Sequence, residues 1–141
     1  MSKTNPVLGG GGFHHVSIKT RDWSRTLQFY QEVLGFVVKV AWGAAPKRAI
    51  MLDSGDGNYL EVFEDLEFSP AQNGSIVHFA LRTTRLDAVV ERVRASGGTI
   101  TVEPKDITIA TTNGKGAVPA RICFFTGPNT ELIELLQNDL T

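Results

Sequence analysis

The sequence predicts an α+β fold, a single domain built from two βαβββ modules. Three observations predict it. "HVSIKT" at 15–20 and "HFALRT" at 78–83 share the order His, apolar, small, apolar, basic, Thr. Each leads into a segment of helical period stopped by glycine, and His15 to Gly35 and His78 to Gly98 are both 20 positions. Each half then closes on an apolar run holding a glutamate, "YLEVF" and "ELIELL". Such self-similarity is the mark of one supersecondary unit used twice.

The elements follow in order. Residues 1–12, "MSKTNPVLGGGG", read as a flexible arm; no GK[ST] follows the glycines, so they do not form a phosphate cradle. A strand is expected at 14–20. Asp22 is a good N-cap, and Trp23, Leu27, Tyr30 and Leu34 recur at steps of four, three and four before Gly35, which predicts a helix over 22–34. Strands follow at 36–42, 48–53 and 58–64, the last two joined by the Asp-Gly hairpin turn of "DSGDGN" at 53–58. These complete a first module at about 13–66. The second spans about 75–138 and opens with a strand at 75–82. Its helix begins at Thr84, with Asp87 three residues on as an approximate capping box. Leu86, Val89, Val90 and Val93 form its apolar stripe, and "SGG" at 96–98 ends it. Strands are predicted at 99–103, 118–125 and 130–137. The Thr/Gly-rich stretch from Glu103 to Val118 reads as a long loop over a site.

Composition narrows the function. Fourteen basic residues against fifteen acidic ones leave a net charge of -1. That is no footprint for a phosphate backbone, so nucleic acid is not an expected partner. No apolar run approaches the ~20 residues of a membrane span, and the start lacks the layout of a secretory signal, so no membrane partner and a cytoplasmic location are expected. Cys123 is the single cysteine, which excludes an internal disulfide and a thiolate cluster; within "RICFFT" it reads as a core residue.

The chemistry lies in four residues. Glu61 sits between Leu60 and Val62, and Glu134 has Leu132, Ile133, Leu135 and Leu136 around it. A buried, unpaired carboxylate costs several kcal/mol, so something must compensate it unless the strand is an exposed edge. His15 and His78 each begin the equivalent strand of a module. A lone strand histidine is usually structural, but here a pseudo-twofold axis could gather two imidazoles and two carboxylates around one cation. An N2O2 set of this kind suits Ni, Co, Zn, Mn or Fe(II). The repeat also separates the adjacent histidines. His15 aligns with His78 and shares a strand face with Ser17 and Lys19, whereas His14 points the other way, to the surface or to a supporting position.

Two such modules, with "HHVSIKTRDWSRTLQFYQEVLGF", "YLEVFE", "VHFALRT" and "GPNTELIELLQ", resemble the vicinal oxygen chelate superfamily, which includes glyoxalase I, methylmalonyl-CoA epimerase, extradiol dioxygenases and the fosfomycin and bleomycin resistance proteins. The resemblance runs from about Phe13 to Gln137. It implies a curved eight-stranded sheet, the glyoxalase/bleomycin resistance fold, with His15, Glu61, His78 and Glu134 as metal ligands. That set is closest to bacterial glyoxalase I. It implies a metal-dependent lyase or isomerase acting on a small vicinal-oxygen substrate such as the hemithioacetal of a 2-oxoaldehyde. One divalent ion, Ni, Co or Zn ahead of Mn or Fe, would stabilise the enediolate; Glu134 would be the base, with Glu61 as the other possible base. Glutathione is a possible co-substrate, and Arg25, Lys39, Arg48, Arg82, Lys115 and Arg121 are candidates for its carboxylates. Phe29, Trp42, Phe63 and Phe125 are candidate lining residues, with core packing as the alternative. A homodimer is expected, and the quartet could meet within one chain or across two. The competing readings are an Fe(II) or Mn dioxygenase or epoxide-opening transferase that leaves Glu61 unligated, a metal-free drug-binding protein, and a structural subunit. One departure stands out. The Asp-Pro-Asp-Gly turn usual before the last strand reads Gly127-Pro128-Asn129-Thr130, without its normal glycine.

Overall fold

Each half of the chain folds as the repeat dictates. The structure, a computed structural model, describes residues 13, 15–69, 78–110 and 116–139. The first module runs β1 (His15–Thr20), α1 (Trp23–Gln28), a π-helical turn (Phe29–Val33), β2 (Val37–Trp42), β3 (Ala49–Gly55) and β4 (Asn58–Glu64). The second runs β5 (Phe79–Arg82), α2 (Leu86–Ala95), β6 (Thr99–Ala110), β7 (Ala117–Thr126) and β8 (Leu132–Asn138). The expected arm at 1–12 and the first part of the expected strand at 75–82 lie outside the described residues.

The two modules have the same strand order, β1-β4-β3-β2 and β5-β8-β7-β6. In each, the first strand lies parallel to the last, β1 on β4 and β5 on β8, and the remaining pairs are antiparallel. This is the glyoxalase/bleomycin resistance architecture, with one correction. The eight strands form two four-stranded sheets, and no ladder joins them among the described residues. What joins the modules is a shared core: Tyr30, Leu52 and Val62 from the first pack in one apolar cluster with Val90, Phe125 and Ile133 from the second. Cys123 is buried in that cluster, and its burial pushes the thiol up to about 11.

The hairpin turn is as predicted: Asp56 and Gly57 both have positive φ, 55° and 73°, the pair of conformations a two-residue type I′ turn requires. Three elements differ from expectation. The helix predicted over 22–34 is α-helical only to Gln28, after which Leu34 N–H reaches back five residues to the Phe29 carbonyl at 3.2 Å. The widened turn lets the adjacent rings of Phe29 and Tyr30 both pack toward the core, Phe29 against Phe125 and Tyr30 against Phe36. Helix α2 does not use the Thr84 capping box. The Thr83 hydroxyl accepts from Arg85 N–H at 2.9 Å, Gln137 on β8 accepts from Leu86 N–H at 3.2 Å, and Asp87 pairs with Arg121 instead. The predicted loop after Glu103 is strand as far as Ala110, paired with β7 up to Ala117. Pro104, which lacks an amide donor, falls within the register shift between Val102 and Lys105, where a bulge accommodates it.

A polar chain also crosses between the modules. Tyr30 Oη donates to Glu131 Oε1 at 2.6 Å, and Asn129 N–H donates to Glu131 Oε2 at 2.7 Å. Asn129 Nδ2 donates to Thr26 Oγ1 at 2.8 Å, and the Thr26 and Thr20 hydroxyls bond to each other at 2.8 Å. Burial raises the Glu131 carboxyl above its ordinary value and drives the Tyr30 phenol well above its own.

Candidate functional site

Strand alternation sorts each sheet into a core face and an open face. On β4, Leu60, Val62 and Glu64 are buried; Tyr59, Glu61 and Phe63 alternate with them on the open side. On β1, Val16 and Ile18 pack against the core, and His15, Ser17 and Lys19 are exposed on the same open side. Register turns this face into rows. His15 is opposite Tyr59, which is opposite Asp53 and then Val37. Ser17, Glu61, Met51 and Val40 make the second row, and Lys19, Phe63, Ala49 and Trp42 the third.

His15 Nε2 lies 3.6 Å from Glu61 Oε1. The Ser17 hydroxyl donates to that same oxygen at 2.7 Å. In the second module, His78 Nε2 lies 3.0 Å from Glu134 Oε2, and the imidazole and the Phe124 ring meet at a T-shaped angle, centroids 5.3 Å apart. The two carboxylates are only 13% and 15% exposed. Both stand on interior strands, β4 and β8, so an exposed edge does not explain them. The compensation comes from the neighbouring parallel strand, from Ser17 with His15 for Glu61 and from His78 for Glu134.

The structure thus brings the sequence-predicted residues together in pairs, His15 with Glu61 and His78 with Glu134. It does not bring the pairs to each other: no group of three or more His, Cys, Asp or Glu able to hold a metal occurs among the described residues. Each pair offers one imidazole nitrogen and one carboxylate, donors that suit a borderline divalent ion. The donor chemistry fits a metal as two half-sites. His14 lies outside the described residues.

Two of the candidate anion-binding residues are engaged elsewhere. Arg48 makes a two-pronged pair with Glu64 and stacks over Trp23, and Arg121 is held by Asp87 and Asp106. Arg82, by alternation, shares the open face of β5 with His78; Lys115 lies outside the described residues. Of the candidate lining rings, Phe125 is fully buried and Phe29 packs against the core, whereas Trp42 and Phe63 meet edge to face on the open side, centroids 6.1 Å apart. Ser17 as a partner of Glu61, and Phe124 as the wall beside His78, were not singled out from sequence. Their signal is the pairing register, which no sequence period carries.

A family model described as the Glyoxalase/Bleomycin resistance protein/Dioxygenase superfamily matches residues 12–135. The chain belongs to that superfamily. Members named lactoylglutathione lyase are among its relatives: the chain is 29% identical over 147 residues to lactoylglutathione lyase GLX1 of Arabidopsis thaliana, with 92% of this chain and 45% of that protein covered. The chain therefore spans less than half the length of that relative. Among solved structures, a glyoxylase/bleomycin resistance protein/dioxygenase domain from Frankia sp. EAN1pec superposes with a TM-score of 0.73 at 18% identity, covering 92% of this chain and 93% of that one. The fosfomycin resistance protein FosX from Listeria monocytogenes, complexed with Mn(II) and sulfate ion, gives 0.68 at 18% identity, with 92% and 93% covered. No helix among the described residues is long and apolar enough to cross a membrane.

Proposed function

We propose that the protein is a metal-dependent lyase or isomerase of glyoxalase I type, acting on a small vicinal-oxygen substrate with glutathione as co-substrate. The observation that carries this reading is the duplicated His–Glu pair, made the same way in both modules. His15, Glu61, His78 and Glu134 would hold one divalent ion, Ni, Co or Zn ahead of Mn or Fe. Because one chain presents the pairs separately, the reading requires a homodimer in which the first-module pair of one copy faces the second-module pair of its partner. A bound ion supplies Lewis-acid stabilisation of negative charge developing on the substrate's oxygens.

The chain's own residues do the rest. Glu134 takes the proton alpha to the carbonyl and returns it to the adjacent carbon, the flanking Leu132 and Leu136 keeping water from the carboxylate. Glu61 is the second candidate base, held in place by Ser17. That hydrogen bond also favours a second reading, a dioxygenase or fosfomycin-type transferase, in which Glu61 remains off the metal. Assay of the Ni-, Co- or Zn-loaded protein with methylglyoxal and glutathione tests the proposal. Turnover lost in Glu134→Gln supports it, and no turnover with any of the three metals removes it. Protein that takes up no metal on titration would instead be a metal-free binding protein or a structural subunit.

A further inference from the structure

The two modules meet along a seam on the core side of both sheets, away from the open faces that carry the His–Glu pairs. A cleft of about 500 Å³ remains in that seam, within the range of small-molecule sites, which favour the junction of two structural units. One wall is a single helix face of the first module: Arg25, Gln28, Phe29, Glu32 and Val33 keep the i, i+3, i+4, i+7, i+8 spacing. The π-helical turn, a distortion frequent at functional sites, carries the last three. The other wall is formed by the second-module turns at 96–98 and 126–128, largely backbone because Gly97, Gly98 and Gly127 carry no side chain.

Hydrogen bonds fix both ends of the cleft. At one end Asn129 Nδ2 donates to Thr26 Oγ1 at 2.8 Å, tying the 126–128 turn to the helix beside Arg25. At the other, Arg92 Nε and Nη2 donate to the Val33 and Glu32 carbonyls at 3.0 and 2.8 Å, tying α2 to the end of the π-helical turn. The walls are thus preformed, and they are dipolar. Arg25 makes no hydrogen bond or ion pair among the described residues and reaches Glu131 only by a weak Coulombic effect. Glu32, two turns on and about 10 Å along the axis, takes only a 3.3 Å bond from Gln28 Nε2. Helix α2 terminates beside it and adds the negative end of its dipole, while the Arg92 guanidinium is engaged by the two carbonyls. Phe29 and Val33, both half-buried, lie between the charges, and Thr99 and Thr126, paired across β6 and β7, line the opposite side.

A ligand that satisfies both ends carries an anion and a cation about 10 Å apart, the span of an extended tripeptide with free termini. We infer that the seam is a second binding site, separate from the His–Glu pairs, that takes a short zwitterionic peptide. Its C-terminal carboxylate lies on Arg25, its N-terminal ammonium lies at Glu32, and small apolar side chains lie over Phe29 and Val33. The site needs no metal, and copies joined over their open faces leave it uncovered.

Trialanine, its N-acetyl form and its C-terminal amide are titrated into the full chain, with and without zinc, followed by calorimetry and by backbone amide NMR. Free trialanine is expected to shift the Gly97, Gly98 and Gly127 signals, and blocking either terminus should weaken binding at least about fivefold, the loss of one charge-assisted contact. Zinc should change the affinity by less than about twofold. Arg25→Gln should weaken the free peptide as amidation does and leave the amide form unaffected; Glu32→Gln should behave likewise toward the acetylated form. Both side chains are exposed, so neither variant threatens the fold. Equal affinities for free and blocked peptides, or variants that lower all forms alike, would overturn the inference. So would the absence of any shift at about 10 mM peptide, or shifts confined to Tyr59 and Trp42 on the open face. Glycine signals that follow protein concentration and ignore the peptide would give the seam to a second copy and overturn it too.

Discussion

Glu61 stands opposite Ser17, two residues beyond His15, and Glu134 stands opposite Ala80, two residues beyond His78. The offset is the same in both modules. It follows from the parallel pairing of first and last strands, which puts a side chain at one position on the same face as the neighbour two residues on. Each histidine therefore reaches across to its glutamate diagonally. If the pair holds a metal as proposed, removing His78 or neutralising Glu134 breaks that site without touching the core. His78→Ala and Glu134→Gln are each expected to lower metal stoichiometry at micromolar ion to below half; thermal stability should change little in Glu134→Gln and fall in His78→Ala, which leaves the Glu134 carboxylate without its partner. Elemental analysis beside a melting curve checks both.

If each site draws one pair from each copy, two inactive variants should rescue each other. In a mixed dimer of His15→Ala and His78→Ala chains, one site carries both lesions and the other neither. Random reassociation of equal amounts should restore about a quarter of the wild-type activity and metal content. Mixing that restores nothing would place both half-sites outside a shared centre.

Ser17 acts on Glu61 through one hydrogen bond. Ser17→Ala should weaken metal affinity by about 10–100-fold, the usual effect of losing a group that orients a ligand. Stability should fall by no more than about 1 kcal/mol. Competition with a chelator of known affinity measures the first, and denaturant unfolding the second.

Thr130 occupies the turn position where glycine is usual, and its φ is 65°. A β-branched residue is strained there by about 1–3 kcal/mol. Thr130→Gly should recover part of that, raising the melting temperature by a few degrees despite the greater entropy of the unfolded glycine. An unchanged or lower melting temperature would show that Thr130's other interactions outweigh the strain.

The Glu131 carboxyl has its folded-state value raised, chiefly by desolvation, while Tyr30 and Asn129 donate to it and Arg25 acts weakly from nearby. In the window between the ordinary value and the raised one, the folded protein binds more protons than the unfolded chain, so this group makes stability fall as pH rises through that window. Glu131→Gln can keep both bonds, its amide donating to the Tyr30 oxygen. The variant should gain relative to wild type as pH is raised from 4 to 7. Paired melting curves across that range, showing a constant difference, would refute the assignment.

The sequence by itself determined the modules and singled out the four residues that the structure groups as two His–Glu pairs. The spacing of His15 and His78 from their glycines, and the glutamates in the closing runs, are local patterns, and a duplicated unit repeats its own topology. Helix stripes were legible because Trp23, Leu27, Leu86 and Val90 keep the 3.6-residue period. Where a distant residue supplied the decisive contact, the sequence was silent. Gln137 capped α2 in place of Thr84, and a bulge absorbed Pro104 so that β6 ran on. The separation of the two His–Glu pairs also belongs to the tertiary structure. It depends on which faces the modules bury against each other, and that is settled by Tyr30, Phe36, Val90 and Phe125 packing into one core, a long-range choice that no local period encodes.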